Sequence, residues 1–369
     1  GSPAEVNLRD RDIVNMRVAA HAGAPVLLAG DIDRGGVFAA LLGTLALLRP
    51  AERRRVAALV VNNFRGDPAL FAGGAAFLER RARLPLLGVV PHVEGLRLAQ
   101  EDSLGLPAMR SGAAVIDVAL VGLPRISNFD DCDPLLREPG VGVRLVERGD
   151  DLGDPDLVVL PGTKTSRTDL EAARARGLDA AVRRARRRGA AVLGICGGMQ
   201  LLGRGIDDPD GLDAAPGSSP GFGLLPATTR MSAEKVVRRV RGEVLPLPGL
   251  LAGAAGVEIG GYEIHAGRTP ARRPPLRLRD EAGGAPSDDG SSSPDGWVVG
   301  THVHGLLDEP RLRRALLRAV AVRRGRRWRP GPPVPGPEAE LDRLADAVGA
   351  ALDMERLRAI IGGVNGARR

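Results

Sequence analysis

Residues 190–195 (Ala190, Ala191, Val192, Leu193, Gly194, Ile195) form an apolar run that ends at Cys196, with Gly197, Gly198 and Met199 immediately after it. A run with no polar member has the length and content of a strand covered on both faces, as parallel sheets require. Met199, Leu201 and Leu202 have the spacing of the first turns of a helix. The segment therefore reads as strand, sharp turn, helix, with a cysteine at the turn. Glycines at 194, 197 and 198 permit the strained backbone of such a turn. The geometry predicts that Cys196 is pushed into solvent. The helix start behind it favours a thiolate and offers backbone N–H groups to a developing oxyanion. A free cysteine is ordinarily a buried, inert packing residue, and Cys132, which lacks this setting, is read that way. The glycine pattern marks Cys196 as a nucleophile.

A cysteine nucleophile needs a base, supplied from a distant part of the sequence that the fold brings near. Residues 297–308 read Trp-Val-Val-Gly-Thr-His-Val-His-Gly-Leu-Leu-Asp, where Val298 and Val299 predict a short strand and His304-Gly305 falls at its end. His302 and His304 both qualify, as does His265 in Gly-Tyr-Glu-Ile-His-Ala-Gly (261–267). Spacing does not choose among the three, and each has a plain alternative as a hydrogen-bonded structural histidine.

The N-terminal third repeats the alternation of an α/β protein. Val26–Gly30 is an apolar strand ending at Asp31, Ile32-Asp33-Arg34-Gly35-Gly36-Val37-Phe38 follows, and an amphipathic helix runs to Leu48. Val56–Val61 is a second strand, ending in Asn62-Asn63-Phe64-Arg65-Gly66-Asp67. Strand, polar turn and helix in alternation predict a parallel sheet that binds ligands at the carboxyl ends of its strands. Any single Asp or Gly here also suits a helix cap or a turn.

Taken together, these segments identify a family. The elbow Gly-Ile-Cys-Gly-Gly-Met-Gln-Leu-Leu-Gly (194–203), Leu-Pro-Gly-Thr-Lys (160–164), Gly-Tyr-Glu-Ile-His-Ala-Gly and Gly-Thr-His-Val-His-Gly (300–305) resemble class I glutamine amidotransferases, and more narrowly the cobyric acid synthase branch. The resemblance implies a catalytic pair of Cys196 and His304, oxyanion-hole donors at Gly162 and Gly197, and glutamine binding by Gln200. Many members of the wider class carry a Glu two residues after the histidine; here that position is Leu306, as in the narrower branch, and what orients the imidazole is left open. Gly-Ser-Pro-Ala-Glu-Val-Asn-Leu (1–8), Asp-Ile-Asp-Arg-Gly-Gly-Val-Phe (31–38) and Asn-Asn-Phe-Arg-Gly-Asp (62–67) resemble the family's ATP-dependent synthetase domain, of dethiobiotin-synthetase-like P-loop type. That likeness implies Asn62 near adenine, and Asp31 and Arg34 near the phosphate and substrate face.

The implied architecture is α/β throughout: a partial P-loop-type parallel-sheet domain at 1–108, a flavodoxin-like glutamine amidotransferase domain at 114–325, and a Pro-rich linker with a C-terminal helix at 326–369. No Gly-x-x-x-x-Gly-Lys-[Ser/Thr] segment occurs in the 369 residues, and residue 1 is Gly. The chain is accordingly expected to be N-terminally truncated, without its phosphate-binding loop, and not to bind ATP. In the complete enzyme, ATP and Mg²⁺ would activate peripheral carboxylates of adenosylcobyrinic acid a,c-diamide, and glutamine would supply ammonia for their amidation in cobalamin biosynthesis. Cobyrinic acid a,c-diamide synthase, a ParA-like ATPase module and a cysteine peptidase of related fold are the competing readings, and the cysteine elbow opposes the ATPase module.

Composition adds limits. Two cysteines suit a reducing, cytoplasmic compartment and argue against a disulfide framework. No apolar run reaches the length of a membrane span. The net charge of +7 could suit nucleic acid, but the arginines are scattered and aromatic residues make up only 2%, so no nucleic-acid partner is expected. The charge reads first as coding bias and solvated arginine faces; a polyanion, such as the corrinoid polycarboxylate that the resemblance implies as partner, would also welcome it. The polar stretch 270–296 and the Pro-rich 329–337 are expected to be disordered, and Leu341, Leu344, Val348, Leu352 and Leu357 predict a C-terminal helix packed on the body.

Overall fold

The structure is a computed structural model that describes residues 2–94, 96, 114–332 and 337–366. It divides into two compact units, residues 1–98 with 335–369, and residues 99–334. The expected link at 109–113 and residues 333–336 of the Pro-rich stretch lie outside the described residues.

The first unit is built on a three-stranded parallel sheet, with Val56–Phe64 between Val26–Asp31 and Leu86–Pro91. The predicted helix is Val37–Leu47, and its 3.6-residue period places Val37, Leu41 and Leu45 against the sheet. The C-terminal segment is not one helix but two, Pro337–Ala351 and Met354–Gly366. Val348, Ala351, Leu352, Leu357 and Ile360 from these helices pack on Ala58, Val60, Leu87 and Val90, covering the sheet's other face. Asp353 N–H donates to the Leu87 carbonyl at 2.8 Å, which fixes the turn between them.

The second unit contains a six-stranded sheet in the order Ser291–Ser292, Val298–Thr301, Ala191–Ile195, Leu157–Leu160, Ile116–Val121, Val141–Val146. All neighbours are parallel except the first pair. The run before Cys196 is a central strand, buried at every position, because neighbours on both edges and layers on both faces leave no polar side. Trp328 belongs to this unit: it is buried, and its Nε1 donates to the Pro139 carbonyl at 2.8 Å.

A second, mostly antiparallel sheet is centred on Thr228–Val244 and Glu258–Arg268. It corrects the expectation of disorder over 270–296. Leu276–Asp280 pairs with both Thr228–Val244 and Ser287–Asp289, and Ser291–Ser292 edges the parallel sheet. Composition hid the strand. Leu276 and Leu278, alternating with arginines, are enough to bury one face at period two, and both are fully buried.

Candidate active site

Cys196 sits at φ 50°, ψ −110°, the residue before helix Gly197–Leu202. A side chain at positive φ costs of order 1–3 kcal/mol and persists only where its surroundings dictate it. Here Cys196 N–H donates to the Thr301 carbonyl at 2.7 Å and the Cys196 carbonyl accepts from Gln200 N–H at 3.2 Å, locking both sides of the turn. Gly198 makes the bend possible: a Cβ there would stand 2.0 Å from the Leu160 carbonyl oxygen.

The thiol is not pushed into solvent. Cys196 is only 5% exposed, and its Sγ lies 3.6 Å from the Ile264 carbonyl oxygen. The elbow does project the side chain out of its own sheet, but strand Glu258–Arg268 of the second sheet covers it. Local turn geometry carries no information about that strand.

The structure separates the three histidines. His304 pairs with Tyr262 across strands Glu258–Arg268 and Val303–His304, and their rings stack at 5.1 Å. Its Nδ1 is 2.7 Å from Asp131 Oδ2, and Gly305 N–H donates to Asp131 Oδ1 at 2.8 Å. His304 is fully buried and its Nε2 has no hydrogen-bond partner. Burial pulls its pKa down, but the hydrogen bond to Asp131, followed by the influence of Cys196, outweighs this and raises it to about 10. Asp131 went unrecognised in the sequence; it lies in the short turn Phe129–Cys132. The signal was an acidic residue within that turn, with nothing local to connect it to a histidine 173 positions away.

Around this pair the predicted backbone donors gather. The His304 ring lies against Gly162, where a Cβ would stand 3.0 Å from Cε1, and Gly197 lies against Thr163. Gln200 is buried, and its Oε1 accepts from Ser166 Oγ at 2.5 Å. Asn128 Nδ2 donates to the Tyr262 hydroxyl, whose pKa is pushed up to about 12, mainly by burial and then by Asp130 and Asp131.

His265 and His302 belong to a different group. They stack on each other at 4.0 Å; His302 Nδ1 meets Asp289 Oδ1 at 2.8 Å and His265 Nδ1 meets the Gly267 carbonyl at 2.7 Å.

In the first unit, Asp31 and Asn62 are register partners at the carboxyl ends of their strands. The Asp31 carboxylate accepts from Asn63 Nδ2 at 3.1 Å and Asp33 N–H at 3.0 Å, while Asn62 and Arg34 are exposed. Arg65 Nε donates to Asp33 Oδ1 at 2.8 Å, so the two polar turns are tied to each other. Arg65 also holds the Asp33 carboxyl below its usual range.

Residues 117–312 match the family model described as a CobB/CobQ-like glutamine amidotransferase domain. A cobyric acid synthase of Sorangium cellulosum (strain So ce56) is 50% identical over 98% of this chain and 73% of its own length. One from Pelotomaculum thermopropionicum is 46% identical over 98% of this chain and 71% of its own. Among solved structures, PurLQS from Thermotoga maritima aligns over 55% of this chain and 98% of its own, at 20% identity and a TM-score of 0.40. Among the described residues, no helix is long and apolar enough to cross a membrane. Identity at this level over nearly the whole chain places it in the cobyric acid synthase family, with a glutamine amidotransferase domain in its second unit.

Proposed function

We propose that the second unit hydrolyses glutamine through Cys196 and His304, releasing ammonia for amide synthesis on a corrinoid carboxylate. The observation that carries this reading is the Cys196 elbow beside a fully buried His304 whose far nitrogen is held by Asp131. Asp131 fixes the ring with Nδ1 as its donor, so Nε2 is the nitrogen that exchanges protons at the reacting atoms. With its pKa raised to about 10, the ring holds a proton at neutral pH.

Attack of the Cys196 sulfur on the side-chain amide carbon of glutamine builds a tetrahedral intermediate, whose oxygen the backbone N–H groups of Gly162 and Gly197 receive. Its collapse breaks the C–N bond. His304 gives its proton to the departing nitrogen, so ammonia leaves and a glutamyl thioester remains. The ring, now neutral, takes a proton from water as that water attacks the thioester. Glutamate departs, and the sulfur and the charged ring are restored. Gln200 is assigned to holding the glutamine substrate.

Ammonia amidates a carboxylate only after activation, because hydroxide is a poor leaving group. ATP with Mg²⁺ is the activating substrate of the synthetase chemistry we assign to the family. Asp31 and Asn62 lie where nucleotides bind in this fold class. The proposed acceptor is adenosylcobyrinic acid a,c-diamide, in a cytoplasmic setting.

The test is glutamate release from glutamine by the purified chain. Activity lost in Cys196→Ala and in His304→Ala supports the assignment; a Cys196→Ala protein that still releases glutamate overturns it. Cleavage of peptides in preference to glutamine would replace it with a peptidase.

A further inference from the structure

Outside the machinery just described, Glu263, His265 and His302 each place a ligand-type atom within 4.8 Å of the other two. All three are buried, at 3%, 8% and 3% exposure. Their hydrogen bonds fix which atoms remain. The Gly267 carbonyl can only accept, so His265 Nδ1 must donate to it, which leaves Nε2 as the ring atom free to ligate. Asp289 Oδ2 accepts from Thr301 Oγ1 at 2.6 Å and from His302 N–H at 3.2 Å, and its Oδ1 meets His302 Nδ1, which leaves His302 Nε2 as a buried ring atom with no partner.

Glu263 pairs with Arg238. Arg238 bonds only to its Oε2, leaving Oε1 at 3.6 Å from His265 Nε2. That separation is too long for a hydrogen bond. It is close to the roughly 3.4 Å between two ligands of a tetrahedral Zn²⁺ ion about 2.05 Å from each. Three ligand-type atoms thus converge in a buried place, an arrangement that suits a cation.

We propose that Glu263, His265 and His302 form a binding site for a divalent transition-metal ion of the zinc class. Two imidazole nitrogens and one carboxylate are a zinc-type donor set, and the Asp289 carboxylate behind His302 is the outer partner that such a histidine ordinarily has. The stacked rings, inclined by 19°, must open slightly to share one ion. The site borders a cavity of about 850 Å³, which gives the ion a path of entry and a place for a water ligand. Its role is structural. It would clamp strand Glu258–Arg268 to the segment that carries His304 two residues further on, and so hold the imidazole in place.

The experiment is a titration of the chelator-stripped full chain with Zn²⁺ against a chromophoric chelator, and with Co²⁺ followed by absorption. The expected result is one ion per chain, a thermal midpoint that rises with Zn²⁺, and a cobalt spectrum without a thiolate charge-transfer band. His302→Ala and Glu263→Gln should each weaken binding at least tenfold. Glu263→Gln keeps the side chain's shape and covers the case in which His302→Ala fails to fold. Absence of stoichiometric binding overturns the proposal, as does binding unchanged in both variants. A cobalt–thiolate band lost in Cys196→Ser would also overturn it, by placing the ion on the nucleophile.

Discussion

His304 Nδ1 lies 2.7 Å from Asp131 Oδ2, although 173 residues separate them in the chain. The carboxylate also takes the Gly305 N–H, so it fixes the ring and the backbone beside it together. Asp131→Asn keeps the shape but offers an amide in place of a charged acceptor. Glutaminase kcat should fall by roughly 10²–10⁴-fold, with KM for glutamine nearly unchanged. Steady-state kinetics of the variant decides this, and a loss confined to KM would assign Asp131 to substrate binding.

The same pair sets a pH dependence of stability. The folded-state pKa of His304, about 10, exceeds the value of about 6.5 for an unfolded chain. Folding therefore takes up a proton between those limits. The stabilisation is fully present below about pH 6.5 and is lost as pH rises through about 10. Thermal midpoints measured from pH 6 to 10 should decline, and Asp131→Asn should flatten the decline by removing the bond that raises the pKa.

The strain at Cys196 can be weighed by two substitutions that both remove the sulfur. At φ 50°, ψ −110° an alanine keeps the Cβ and its clash, whereas glycine does not. Cys196→Gly should be more stable than Cys196→Ala by about 1 kcal/mol, the reverse of the usual order. Chemical denaturation of the two proteins gives the difference, and both should be inactive.

Gly198 offers a test of packing at the elbow. Alanine there would put its Cβ 2.0 Å from the Leu160 carbonyl oxygen, which belongs to a central strand and cannot yield. Gly198→Ala should cost about 3 kcal/mol or more. In helix Met354–Gly366, Gly362 has open space around it. Gly362→Ala should therefore stabilise by about 0.5–1 kcal/mol. Parallel denaturation curves check both.

His302 and His304 stand two residues apart in one extended segment but have different hydrogen-bond partners, Asp289 and Asp131 respectively. His304→Ala should abolish glutamine turnover, and His302→Ala should only weaken it. Assays of the two variants at saturating glutamine distinguish them, and the opposite ranking would move the base to His302.

The central strand, the elbow and the parallel first sheet were legible in the sequence because each is written in contiguous residues. An apolar run, a glycine-flanked cysteine and a strand-turn-helix alternation are local patterns with direct backbone consequences. Motif resemblance picked out His304, which spacing had left level with His265 and His302. Tertiary structure alone decided the burial of Cys196, the bond from Asp131 to His304, the second sheet in a stretch whose composition suggests disorder, and the return of residues 337–366 to the first unit. The reason is one of range. Backbone preference and hydrophobic period act over a few neighbours, whereas a carboxylate meets an imidazole, or a strand covers a thiol, only once the whole sheet order has brought distant segments side by side.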